Sequence, residues 1–312
     1  MISHWGRKFK AILAASYLHL SLDRPARQDY RTFVEGAYRL ILKRSADENG
    51  LTSFVSLLER GIPRWVILEA LFASDEYRLG KKNGSPIDAL HTLRCKLVQQ
   101  LPPAKVIVDL GGAASSAIEG ALLWMGYPHA PREITIVDLP PDLRMFANSF
   151  AHIRDETAKW LVVGPTKVRY LHQSMADLSG IAAESVDLVW SGESIEHITL
   201  AEATHMFQEV WRVLKPGGYF CLDTPNRDIT KIQSPDQLIH PEHKLEYTVP
   251  QLTNNLSTAG FEIVQVLGLT PMPKTVQTGI FSWFEMLENA TFSNRPEMCY
   301  LFYVKCIKPE TS

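Results

Sequence analysis

Between residues 103 and 225 the chain alternates two textures, and this alternation limits the folds open to it. Short apolar runs at 106–110, 134–139, 168–171, 186–190 and 219–223 are separated by stretches whose apolar residues recur at helical spacing. A strand buried on both faces reads as a continuous apolar run, because neither face meets water. Strands of this kind separated by helices predict βαβ units and a parallel sheet covered on both sides. Two more strand-like runs, 261–267 and 300–307, stand about thirty residues apart.

At 312 residues and 46% hydrophobic, the chain is long enough for two domains with ordinary cores. Lys+Arg is 32 and Asp+Glu is 34, a net of -2. No basic excess exists to hold a phosphate backbone, which argues against nucleic acid as the main partner. Cys95, Cys221, Cys299 and Cys306 are scattered without a C-x-x-C, which fits a reducing, cytoplasmic setting better than a disulfide framework or zinc site. No apolar run approaches the ~18 residues of a membrane span. Arg7, Lys8 and Lys10 precede an apolar stretch with the outline of a short signal peptide, but Ser16, His19 and Ser21 interrupt it and no small-x-small site follows. The expectation for 1–27 is an amphipathic helix that packs on the protein or lies peripherally on a membrane surface.

Residues 28–80 read as a small all-α unit. Phe33, Ala37, Tyr38 and Ile41 share one helix face, ending at Lys43-Arg44. Asp47 to Gly50 is read as a capping turn, since the spacing of a calcium loop is absent. Leu51, Phe54, Val55 and Leu58 make a second face, and Pro63 starts a third helix through Leu68. Ser74 is expected to cap a last short helix at 75–79. Residues 81–100 form a linker and lead-in helix, and 101–312 the second domain.

Inside that domain, the first strand ends Asp109-Leu110-Gly111-Gly112-Ala113. An acid at a strand end followed by glycines has the form of a nucleotide-binding βα turn, because glycine lets the backbone approach a ligand. Ala113 and Ser115 depart from G-x-G-x-x-G, and a plain tight turn is the alternative. The second strand ends at Asp138, whose carboxylate could accept two ribose hydroxyls, or could cap a helix starting at Pro140-Pro141.

Further on the sequence reads Asp187-Leu188-Val189-Trp190-Ser191, Ile195-Glu196-His197-Ile198, then Glu209-Val210-Trp211-Arg212-Val213-Leu214-Lys215-Pro216-Gly217-Gly218-Tyr219-Phe220. This series resembles the central signature of class I S-adenosylmethionine-dependent methyltransferases. Thr224-Pro225-Asn226-Arg227 and the His240, His243, Glu246, Tyr247, Leu252 series, continuing to Ala259-Gly260-Phe261, are similar to one branch of them. The resemblance covers roughly 103–267.

The resemblance implies a Rossmann-like α/β fold: a seven-stranded, mostly parallel sheet whose last strand is antiparallel, the residues after Leu267 being an insertion in its terminal hairpin. S-adenosylmethionine is the implied cofactor. Asp109, Gly111, Gly112 and Ala113 would line its methionine part, Asp138 its ribose and Leu139 its adenine. Ser174 and Met175 stand where such enzymes often carry an acid, so they are weaker adenine-edge candidates. Ser191, Gly192 and Glu193 would face the sulfonium. The helical unit, from Phe33-Val34 through Arg44, Asp47, Gly50-Leu51 to Glu76-Tyr77, resembles a small domain of unknown function found in bacterial surface-polysaccharide proteins.

A sugar hydroxyl is therefore the expected acceptor, with a small molecule or lipid as alternative. A neutral hydroxyl needs a proton acceptor, and His197 and His243 are the candidates. Each also has a structural alternative: a local helix-start contact for His197, pairing with Glu246 for His243. No metal is expected, because two histidines beside Glu246 suit a softer ion than magnesium. The aromatic insertion carrying Phe281, Trp283, Phe284, Met286 and Leu287 could cap the acceptor site, join two copies in a homodimer or form satellite core. Two rivals remain. One is a non-catalytic cofactor-binding scaffold. The other is a dinucleotide oxidoreductase, against which Leu214 to Phe220 argues.

Overall fold

The computed structural model describes residues 27–42, 44–62, 64–74, 86–114, 117–140 and 159–310. The helix expected over 1–27 (Arg27 apart), Pro63, the short helix at 75–79, the linker to residue 85, Ser115 and Pro141 lie outside these. The chain divides into two compact units, Met1–Ala89 and Leu90–Ser312.

In the first unit, α1 (Arg27–Ile41), α2 (Glu48–Glu59) and α3 (Arg64–Ala73) bury Phe33, Val34, Leu51, Val55, Ile67 and Leu68 among one another. Asp47 has extended backbone and accepts from the Gly50 N–H at 2.8 Å, so it satisfies one of the orphan amides at the start of α2.

The helix α4 (Pro86–Val98) crosses the division. It leads into β1 (Val106–Leu110), α5 (Ala121–Trp124), β2 (Glu133–Asp138), β3 (Leu161–Val163), β4 (Thr166–His172), β5 (Val186–Gly192), α6 (Leu200–Val213) and β6 (Leu214–Pro225). Then follow α7 (Arg227–Gln233), α8 (Val249–Thr258), β7 (Glu262–Pro271), α9 (Pro273–Thr278), α10 (Trp283–Glu288), β8 (Phe292–Ser293) and β9 (Cys299–Ile307).

The strands form one sheet in the order β3-β4-β2-β1-β5-β6-β9-β7-β8. Strands β4, β2, β1, β5 and β6 run parallel. Strand β9 is antiparallel to both β6 and β7. Among the described residues the sheet has nine strands rather than the expected seven. The two additions, β3 and β8, are three and two residues long and pair antiparallel at the two edges. β8 is too short to show an apolar run; β3 lies in the short apolar run 160–163, which the expected strand set did not include.

Helix α6 shows why the alternation folds this way. Ala203, Met206, Phe207, Val210 and Val213 fall on one face and are buried against the sheet. Each large apolar side chain contributes about 1.5–3 kcal/mol on burial. Thr199 and Glu202 close a reciprocal capping box at its start. Its end runs directly into β6, where the segment after Leu214 bulges out of the ladder: Val186 pairs Leu214, but Leu188 already pairs Tyr219.

The order of the strands fixes where a ligand can sit. From β1 the chain moves outward to β2 and β4, then crosses back to β5 on the other side. In open α/β sheets, ligands bind outside the carboxyl ends of the strands at such a switch point.

Candidate active site

Leu110, Asp138, Gly192 and Asp223 end or nearly end their strands on this one edge, aligned by the register of β1, β2, β5 and β6. The Gly111 N–H donates to the Val137 carbonyl at 2.8 Å, tying the turn after β1 to β2. Gly111 has φ +74, and a Cβ there would lie 2.6 Å from the Ser194 Cβ. A Cβ at Gly112 would meet the Asp109 carboxylate at 2.0 Å. Only glycine therefore lets this turn close over Asp109.

Asp109 is buried, and its Oδ2 has no hydrogen-bond partner among the described residues. Burial pushes its carboxyl up to about 7; the nearby Asp138 charge adds to this, and a hydrogen bond from the Leu122 amide opposes it. An orphaned buried acceptor costs about 1–3 kcal/mol, which a cationic or N–H-bearing ligand group would relieve. Asp138 is half-buried. Its Oδ2 accepts from the Ala113 N–H at 3.1 Å and its Oδ1 from the Leu139 N–H at 2.8 Å. The exposed Leu139 side chain follows it. Met175 approaches Gly111, whose Cβ position lies 3.8 Å from the Met175 Cε. The Ser174 hydroxyl accepts from the Ala176 N–H. Ser191 is fully buried, with its hydroxyl 2.7 Å from that of Ser194.

Glu193 follows the tip of β5 with φ +47, in the left-handed region. Its carboxylate lies 2.6 Å from Arg94 of α4. Arg94 also grips Asp223 at the end of β6, with Nε 2.6 Å from Oδ2 and Nη2 3.1 Å from Oδ1.

His197 lies in a single 3₁₀ turn, 195–197, between β5 and α6. The loop between α7 and α8 returns to it: the amides of Lys244 and Leu245 donate to the Glu196 carbonyl. That loop brings His243 and His240 to ring-centre distances of 5.0 and 6.1 Å from His197. His243 Nδ1 is 2.8 Å from Glu246 Oε1, so the structural pairing foreseen for His243 is formed. Glu246 also accepts from Thr230, Arg227 and the Ile239 amide. Against the burial that opposes ionisation, the His243, Thr230 and Ile239 hydrogen bonds hold its carboxyl below the usual range. An ionised Glu246 accepts a hydrogen bond from the Nδ1–H of His243, which leaves Nε2 as the acceptor. Burial, then the neighbouring His243 and His240, push His197 down to about 4, so it is neutral near pH 7.

Sequence reasoning passed over Glu196. It is buried, accepts from the Thr224 hydroxyl at 2.9 Å and is pushed up to about 8 by burial first and by Glu193 second. Ligand atoms of Glu196, His197 and His243 all lie within 4.8 Å of one another, a spacing at which one cation could touch all three. The missed signal was a carboxylate between Ile195 and Ile198, both buried. Arg94 carried a similar signal, standing four residues after Leu90 on the apolar face of Leu90, Leu93 and Leu97.

Comparison with known proteins bears on this arrangement. Residues 116–222 match a family described as "Methyltransferase domain", and residues 25–79 a domain of unknown function, DUF4214. The chain is 39% identical over 103 residues to a probable S-adenosylmethionine-dependent methyltransferase of Mycolicibacterium smegmatis, a match covering 33% of this chain and 38% of that protein. It is 26% identical over 236 residues to a ubiquinone biosynthesis O-methyltransferase of Xanthomonas axonopodis, covering 72% of this chain and 85% of that one. Among solved structures, a Haloferax volcanii methyltransferase complexed with the Trm112 activator covers 72% of this chain and 92% of its own, at 17% identity and a TM-score of 0.49. The domain match and the two sequence relatives support a methyltransferase domain with S-adenosylmethionine as its cofactor.

Proposed function

We propose that this chain methylates a hydroxyl oxygen, with a sugar of a polysaccharide or nucleotide-sugar pathway as the acceptor. The observation that carries this reading is the placement of the acidic turn and an oriented imidazole pair at one edge of the sheet. The cofactor residues fit the group. Asp109 Oδ2 is a buried acceptor suited to an ammonium, and Asp138 would share its carboxylate between the backbone amides and the ribose hydroxyls. Leu139 and Met175 would offer apolar surface to the adenine, and Gly111 to Ala113 close backbone approach.

When bound, S-adenosylmethionine supplies a methyl group already activated on a sulfonium. The chain's own task is alignment, which lowers the barrier by holding the acceptor at near-attack distance. It must also take the hydroxyl proton as the oxygen–carbon bond forms. His243 is built for that: Glu246 fixes its tautomer and orientation, and Nε2 receives the proton. His197, neutral and 5.0 Å away between ring centres, is the second candidate.

An oxygen acceptor is supported by the likeness to the ubiquinone O-methyltransferase. The sugar setting is supported by the helical unit alone, through its resemblance to a domain of bacterial polysaccharide proteins. The test is mass spectrometry of glycans and nucleotide sugars from cells with and without the protein. Species heavier by one CH2 support the reading; unchanged glycans with a heavier lipid or small metabolite would move the acceptor to that class.

A further inference from the structure

The tip of β5 is held by a side chain that precedes the matched methyltransferase domain. Arg94 lies on α4 and is almost fully buried. Its guanidinium spans two carboxylates: a two-point contact to Asp223 on β6, and Nη1 at 2.6 Å from Glu193. Asp223 Oδ1 in turn accepts from the Glu193 N–H at 2.9 Å. The three residues thus close a ring. Gly192 makes room for it, since a Cβ there would lie 2.8 Å from Arg94 Nη2.

This ring explains two otherwise costly features. Glu193 is a non-glycine residue in the left-handed region, a strained conformation that persists only where surroundings over-determine it. Both its backbone N–H and its carboxylate are held by the ring. The formal charges are +1 on Arg94 and -1 on each of Asp223 and Glu193, so one negative charge is left uncompensated within the ring. That tip stands beside the glycine turn: Leu110 pairs Ser191, and the Cβ position of Gly111 approaches Ser194. A cationic ligand group there would complete the balance.

We infer that Arg94 is a positioning residue, which aims the Glu193 carboxylate at the positive sulfur of the cofactor. The inference rests on the S-adenosylmethionine reading of this edge. A lysine cannot replace the guanidinium, because one ammonium on a flexible stem cannot hold two carboxylates in a fixed fork.

The experiment is calorimetric titration of the full chain with S-adenosylmethionine and with S-adenosylhomocysteine, whose sulfur is neutral. The readout is the ratio of the two affinities. Glu193→Gln should lower the preference for the cation roughly five- to tenfold. Arg94→Lys should lower it by a similar factor, and the double variant by no more than either alone. A role confined to folding would weaken both ligands equally; an unchanged ratio in Arg94→Lys overturns the inference, as does a double variant whose factors multiply. Should Arg94→Lys not fold, an unchanged ratio in Glu193→Gln overturns it. If the unaltered chain binds neither ligand, the cofactor reading falls first and the inference with it.

Discussion

Asp109 is a buried acid whose ionisation a cationic ligand would favour. Its carboxyl sits near 7 because burial disfavours the charge, so it is mostly protonated at pH 6. A cation placed against it favours the ionised form and expels the proton. Binding of S-adenosylmethionine at pH 6 should therefore release a proton, visible as a dependence of the calorimetric heat on buffer ionisation enthalpy. The release should fade above pH 8, where the group is already ionised, and disappear in Asp109→Asn. Proton uptake instead would reverse the assignment. The histidines carry the other residue-scale prediction. His243→Ala or His197→Ala should keep cofactor affinity and lose turnover by roughly 10²–10⁴, the usual worth of a general base. If both single variants and the double variant keep near-normal kcat, no histidine is the base. The acceptor would then be a group that ionises by itself, and the sugar-hydroxyl reading would go with it.

At the scale of elements, β1, β2, β5 and β6 were legible because each carries an apolar run with a residue of different chemistry at or near its end: Asp109, Asp138, Gly192, Asp223. The edge strand β8 was not, being two residues set by pairing with β7, whereas β3 lies in the apolar run 160–163 that sequence reasoning passed over. The candidate site divides in the same way. His197 and His243 stood out as residue types, and their meeting at 5.0 Å follows from a loop that folds back onto Glu196, which spacing along the chain does not reveal. The insertion after β7 has its own latch. Glu285 of α10 is buried and accepts from the Lys274 amide and from both the amide and hydroxyl of Thr275, at 2.7–2.8 Å. It thereby caps α9, and Glu285→Ala should cost about 2–4 kcal/mol by leaving those donors unsatisfied. We expect faster proteolysis within 272–298 with cofactor affinity retained. Lost cofactor affinity would show that the insertion supports the glycine turn as well.

For the whole molecule, the division into Met1–Ala89 and Leu90–Ser312 gives a boundary to test. A chain starting near Ser85 keeps α4 and Arg94 and should fold and bind S-adenosylmethionine alone, because the two units bury separate apolar sets. A soluble fragment without binding would make the helical unit part of the site. All of this depends on one claim, that the carboxyl edge of the sheet around β1, β2 and β5 holds S-adenosylmethionine. The most direct measurement is titration of the full chain and of Asp138→Ala with S-adenosylmethionine. A carboxylate that holds ribose hydroxyls is worth on the order of 1.5–3 kcal/mol, so affinity in the variant should fall about 10- to 150-fold from a micromolar or tighter value. Equal affinity in both proteins would contradict the account.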